Sequence, residues 1–372
     1  MGSAGKCQVL ERVIEPSESE FQITLLRKLQ RLLDEGSFVA TYKFALLHAL
    51  ADICIEKHVI RGDPLRITIG EIAEKVIAYY WRQIMPYRAM DESSGVLAQN
   101  TGQQAAILRE LHEAQESYGA NITALVSDVV TWRRLVGRVA QTIKIMPLWK
   151  LQTLGSVEEV DEFLYRKDTF DVAPTRIVDQ TIELSPGVAD TFRAFHGLIV
   201  NMIRGGWVRT LRRMSQNRGL LDRNDDLFEF LFESSRASLS KVADLLREFQ
   251  NNRCFYCHRE IRGQAHVDHF VPWSRYPIDL AHNFVLADAK CNSDKRDYLA
   301  SEDHLENWTE SRGDISLLGK AFAKAGVLVD RDRSRHVARW AYEQAEVAQA
   351  HGWIIGKQFE AIDSRWRYIL SG

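Results

Sequence analysis

The chain has 372 residues, of which 45% are hydrophobic and 26% charged, with 22 glycines and 8 prolines. That composition excludes a disordered, collagen-like or membrane-spanning chain, and at roughly 150 residues per domain it predicts two or three domains. The 48 Lys and Arg against 50 Asp and Glu give a net charge of −2, which as a whole-chain average argues against a polyanion partner.

Met1–Leu10 carries no apolar leader segment, and no run approaches the roughly 18 apolar residues of a membrane span, so a cytoplasmic protein with no membrane partner is expected. Most of the chain reads as helix. Apolar residues recur at three and four from Phe21 to Leu33, with Ser19 as the expected cap. The pattern continues over Tyr42–Ile55 until Arg61-Gly62-Asp63-Pro64 breaks it, and returns over Ile72–Ile84, Gln103–Tyr118 and Ile122–Ile145. Ser156 with Glu159 has capping-box spacing, and Ser185-Pro186 is read as opening a long helix past Arg204. Within the first 250 residues only Thr175–Leu184 reads as strand. After Leu299 helices are predicted near Arg335–Ala350 and Lys357–Ile369. The expected class is mainly α with a small α+β module. A helical region spans 1–250, divisible near 166–175, followed by a compact module at 251–300 and a helical region at 301–372 that packs on it.

The chemistry concentrates between Arg253 and Leu299. Five cysteines make no disulfide framework, but Cys254, Cys257 and Cys291 fall together, and Cys-x2-Cys sets two thiolates on one side of a tetrahedral ion. Asp288 stands three residues before Cys291, where a second knuckle cysteine is expected. The proposed structural zinc set is therefore Cys254, Cys257, Asp288 and Cys291, with His258 or His282 as substitutes for Asp288. A unit of about 50 residues buries too little apolar surface to stand alone, so zinc or a larger neighbour must support it.

A second set is His266-Val267-Asp268-His269-x2-Pro272, then Asn283, then Asn292 with Lys295 one turn later. A carboxylate can hold a hard cation while an adjacent neutral imidazole takes a proton from water. Asn292 can offer an amide oxygen to the same cation, and Lys295, at i+3 on the same helix face, is read as reaching a phosphate. Arg275 is a further phosphate contact, and His266 a neighbour of the site rather than a ligand.

Asp268-His269-x2-Pro272, Asn283 fourteen residues after His269 and Asn292 nine further on, enclosed by the cysteine frame, resemble the HNH endonuclease family and its ββα-metal finger. The resemblance covers about 50 of the 372 residues. It implies His269 as general base, Asp268 and Asn292 holding one Mg²⁺ or Mn²⁺, Asn283 ordering the loop, and products with 5′-phosphate and 3′-hydroxyl ends. It also implies DNA as substrate and a role in bacterial defence. A single site of this type cuts one strand, so double-strand cleavage would take a homo-oligomer, a partner protein or two successive events. A non-catalytic zinc-stabilised nucleic-acid-binding module and an RNA-cleaving nuclease are the alternatives.

Charge is segregated in a way that the net value hides. Thr191–Arg218 holds six arginines and no acid, and Thr131–Lys150 five basic residues and no acid. Arg204, Arg209, Arg212 and Arg213 are the expected DNA contacts of the first segment, since helical spacing can align a cationic face along a phosphate backbone. Trp207 is read as core.

Overall fold

A computed structural model describes residues 17–35, 40–87, 95–101, 106–119, 121–154, 159–169, 176–221, 227–232, 239–311 and 319–371. The fold is mainly α with two-stranded sheets, and its apolar residues gather into two cores.

The first core is built by α1 (Glu18–Glu35), α2 (Tyr42–Glu56), β1 (Leu65–Thr68), α3 (Ile69–Gln83), α4 (Ala106–Tyr118), α5 (Ile122–Ser127), α6 (Val129–Ile145) and α7 (Pro147–Lys150). It continues through the short pairs β2 (Thr153–Leu154) and β3 (Glu159–Val160), then β4 (Thr181–Leu184), α8 (Val188–Ala194), α9 (His196–Arg213) and α10 (Leu227–Phe232). α2 is its axis. Every residue from Lys43 to Glu56 is buried, so this helix is enclosed by its neighbours rather than amphipathic.

Local chemistry explains the departures from the sequence reading here. The first helix is capped by Ser17, not Ser19: the Ser17 amide donates to Glu20 Oε2 at 2.9 Å. The expected helix over 122–145 is two, because the Asp128 side chain accepts from the Thr131 amide at 3.2 Å and starts α6 afresh. β1 was not anticipated; its alternating Leu65 and Ile67 bury against β4 in antiparallel register. Of the Ser156/Glu159 pair, Ser156 lies outside the described residues and Glu159 is in β3 rather than in a helix. The helix after Ser185 starts at Val188, behind Gly187 at φ 77°, and breaks at Phe195.

The second core starts earlier than residue 251, with α11 (Leu239–Phe249). It continues through β5 (Ala265–His269), β6 (Phe284–Asp288), α12 (Ala289–Lys295), α13 (Glu302–Ser311), α14 (Gly319–Lys324), α15 (Arg331–Val347), β7 (His351–Ile355), β8 (Gln358–Ala361) and α16 (Arg365–Ile369). β5 and β6 form an antiparallel pair from Ala265↔Asp288 to His269↔Phe284, and α12 packs back across both strands. The helix predicted over 357–369 is instead strand β8 followed by α16. Gly356 at φ 56° and Lys357 form the two-residue turn between Ile355 and Gln358. The 301–372 segment supplies Trp308, Trp340, Trp353 and Trp366 to the same core as the ββα unit, so the unit does not stand alone. Trp308 stacks on Phe270 at 5.0 Å and its Nε1 donates to the His282 carbonyl at 2.8 Å.

The two bodies meet along α2. Ile55 belongs to the second core, Trp340 Nε1 donates to the Arg193 carbonyl at 2.9 Å, and the Arg193 guanidinium pairs with Glu343 at 2.5 Å. Arg193, counted in the basic segment, is thus a buried tie between the bodies.

Candidate active site and metal knuckle

The ββα unit brings the two sequence-predicted sets together. Cys254 and Cys257 precede β5, and Asp288 and Cys291 straddle the start of α12. Their ligand atoms lie within 4.8 Å of one another, which suits a tetrahedral ion with metal–sulfur bonds of about 2.3 Å. Asp288 has two jobs: Oδ1 accepts from the Cys291 amide at 2.9 Å as the helix cap, and Oδ2 accepts from the Cys257 thiol at 3.2 Å. Burial works against the Asp288 carboxylate, but the Cys291 amide and the neighbouring thiols hold it well below the usual carboxylate range. A hydrogen bond from the Cys291 thiol holds the Cys254 thiol down to about 6. Three sulfurs and one anionic oxygen are a donor set compatible with structural zinc, and Asp288 occupies the fourth place. His258 is exposed at φ 57° and His282 is buried under Trp308; neither is part of the cluster.

Asp268 and His269 end β5. Asp268 Oδ2 accepts from the Tyr256 hydroxyl at 2.6 Å and from the Lys295 ammonium at 3.0 Å. Tyr256 stands between the two knuckle cysteines, so the knuckle itself orients Asp268. Burial, with the Asp268 charge beside it, pushes the Tyr256 phenol well above its usual range and keeps it a donor. Lys295 is 0% exposed and also donates to the His269 carbonyl at 3.0 Å. This corrects the expectation of a phosphate contact: the i+3 spacing from Asn292 turns the lysine inward onto β5, where it neutralises Asp268. Asn292 lies one turn earlier on α12, half-buried, and no side-chain hydrogen bond to a described residue holds it.

The His269 ring sits between Trp273 at 5.0 Å and Phe284 at 4.9 Å, and its Nε2 is 2.9 Å from Asp279 Oδ1. With the Asp279 carboxylate as acceptor, Nε2 is the donor of this contact, and in the neutral tautomer of the ring Nδ1 then carries the lone pair. Asp279 had no signal in the sequence: it lies ten residues downstream in a loop, at no motif spacing. Asn283 is buried and closes the neck of that loop, accepting from the Val271 amide at 2.8 Å and donating to the Val271 carbonyl at 3.0 Å. Arg275 is half-buried, and burial pulls its guanidinium below the usual arginine range with no carboxylate paired to it among the described residues. His266 is half-buried on β5, opposite Ala287.

Comparison with known families gives two matches. A model described as HNH endonuclease matches residues 254–301, the span of the knuckle, both strands and α12. A model described as a domain of unknown function (DUF8808) matches residues 22–231, the first body. The chain belongs to the DUF8808 family and carries an HNH endonuclease domain. No curated protein and no solved structure matches the chain. A nucleic-acid substrate follows from the HNH domain, and no helix among the described residues is long and apolar enough to cross a membrane.

The arginines expected to bind DNA divide. Arg209, Arg212 and Arg213 are exposed near the end of α9. Arg204 is half-buried and its guanidinium is engaged within the protein: Nε donates to His48 Nε2 at 3.1 Å and the group lies 5.1 Å from the Phe232 ring centre. Trp207 is core, stacked on Phe44 at 6.3 Å.

Proposed function

We propose that the protein is a metal-dependent endonuclease that hydrolyses DNA phosphodiester bonds. The observation that carries this reading is the His269–Asp279 contact: with Nε2 donating to Asp279, Nδ1 is the ring nitrogen that can accept a proton, on the residue next to Asp268. His269 Nδ1 takes the proton of the attacking water, and Asp279 steadies the ring as it gains charge. Asp268 Oδ1 has no partner among the described residues, since Tyr256 and Lys295 both bond Oδ2. That oxygen and the Asn292 amide oxygen are hard donors suited to Mg²⁺ or Mn²⁺, which keep their remaining places for water and phosphate. Such a cation, when bound, would stabilise the charge developing on the phosphate and on the departing oxygen. Arg275, which pairs with no carboxylate among the described residues, is assigned to grip the phosphate beside the cut.

Arg209, Arg212 and Arg213 are assigned to the DNA backbone away from the cut. Arg209 lies about 20 Å along α9 from His196, at 1.5 Å per residue, and His196 packs against Trp340 at the junction of the two bodies. These arginines would therefore hold flanking duplex. A defence role against foreign DNA is the biological setting we assign.

The test offers supercoiled plasmid, single-stranded DNA and RNA with Mg²⁺, Mn²⁺ or EDTA. Nicking or linearisation of plasmid that EDTA abolishes is expected. Cutting confined to RNA would replace the substrate assignment, and binding without cutting under every metal would favour the non-catalytic module.

A further inference from the structure

The loop that carries Asp279 is anchored at three places. Asn283 closes its neck on Val271, the Ala281 amide donates to the Leu328 carbonyl at 2.8 Å, and midway the Tyr276 hydroxyl donates to Glu56 Oε1 at 2.6 Å. Glu56 belongs to α2, in the first body. It is 7% exposed, with Tyr276 at 1% and Lys75 at 6%. Its carboxylate also pairs with the Lys75 ammonium and lies 3.6 Å from Arg333 Nε, while its carbonyl accepts from His336 Nδ1 at 2.9 Å. A carboxylate this buried is costly unless fully partnered. Here its partners come from α3, from the HNH loop and from α15, so one side chain fixes the register of three segments. From Tyr276 the chain needs three residues to reach Asp279, and within them the Ile278 amide bonds back to the Tyr276 carbonyl at 2.9 Å.

The geometry points to the helical body as a positioning element of the nuclease site. Glu56 holds Tyr276, Tyr276 fixes the turn that presents Asp279, and Asp279 orients the His269 imidazole. The inference rests on His269 as general base. Tyr276 and Glu56 are positioning residues: both are buried, and they act through Asp279. The first body is then part of the site's construction.

The experiment uses the full chain as Tyr276→Phe, Asp279→Asn and the double variant. Tyr276→Phe removes one oxygen and leaves Glu56 paired with Lys75 and Arg333, whereas Glu56→Gln would take the charge partner from the buried Lys75. Two readouts are taken: kcat and KM on plasmid, and the ring N–H proton signal of His269 in ¹⁵N-histidine-labelled protein, assigned by its absence in His269→Ala. Tyr276→Phe is expected to lower kcat about tenfold with KM little changed, the effect of a small misalignment of a reacting group. It is also expected to broaden or erase the ring N–H signal. Adding Tyr276→Phe to Asp279→Asn is expected to cost nothing further, because both act through one contact. Losses that multiply in the double variant, or an unchanged signal and kcat in Tyr276→Phe, would overturn the linkage. Should the parent cut no nucleic acid, the nuclease reading fails while the ring signal still decides: its loss in Tyr276→Phe upholds the linkage, and its persistence ends it.

Discussion

Removing the ion from the Cys254–Cys257–Asp288–Cys291 cluster is expected to loosen the second body and to disarm the site with it. The ion would join Cys257 to Asp288, a span of 31 residues. A cross-link over such a span withdraws about 3.5 kcal/mol of entropy from the unfolded chain, on the scale used for covalent links. Spread over a body of this size, that corresponds to a fall of roughly 10 °C in Tm. Asp288→Asn separates the residue's two jobs. It keeps an oxygen for the Cys291 amide and loses the anionic ligand, so zinc affinity falls while the cap survives. Asp288→Ala loses both and costs about 1 kcal/mol more. Asp288→Cys supplies a fourth thiolate and is expected to hold zinc at least as well as the parent, at the expense of the cap. Zinc content by metal analysis and melting with and without chelator read these effects. Because Tyr256 sits between the knuckle cysteines and bonds Asp268 at 2.6 Å, chelated protein resupplied with Mg²⁺ alone should cut more slowly than protein given Mg²⁺ and Zn²⁺. Protein that purifies without zinc and melts identically in chelator would mean that the cluster holds no structural ion.

Three further outcomes follow from the same contacts. Lys295→Met strips Asp268 of its buried counter-charge and is expected to cost about 3 kcal/mol in unfolding experiments; a stable variant with weakened DNA binding would instead make Lys295 a phosphate contact. His48 accepts from Arg204 and is buried, so burial holds its imidazole down to about 3. The folded protein therefore refuses the proton that the unfolded chain takes up below about 6.5, and His48 alone should remove about 2 kcal/mol of stability between pH 6.5 and 5. Denaturant unfolding of the parent and His48→Gln across that range checks it, and equal slopes would refute it. Replacing Arg209, Arg212 and Arg213 together by Ala should weaken DNA binding and reduce the salt slope by about three, with kcat at saturating DNA retained; unchanged binding would remove α9 from the interface.

The candidate site was largely legible because its residues are tied by short spacings in one small unit. Cys254-x2-Cys257, Asp268-His269 and Asn292 fall where the fold places them, and Asp288 was readable as the residue three before Cys291. Asp279 and Tyr256 were not legible. Each meets the site through a loop whose path depends on contacts with Glu56, Leu328 and the knuckle, none of them local in sequence. Lys295 and Arg204 show the complementary error: helical spacing assigns a face but not which side of the helix the rest of the protein covers. In both cases a basic residue assigned to DNA compensates a buried polar group instead. The β7–β8 hairpin did leave a signal, the Gly356-Lys357 pair between two strand-like runs, which the apolar spacing after Lys357 outweighed. The net charge of −2 was the least informative quantity, since exposed Arg209, Arg212 and Arg213, half-buried Arg204 and buried Arg193 count equally in it.

His269 as the base of a metal-dependent cut is the step on which the proposed chemistry turns. Its most direct test is single-turnover cleavage of supercoiled plasmid by the parent and by His269→Ala, each at saturating protein with Mg²⁺ and again with EDTA. Cutting by the parent that EDTA abolishes is expected, together with a loss of at least about a hundredfold in His269→Ala with plasmid binding retained. Cleavage by His269→Ala at the parent's rate would contradict it.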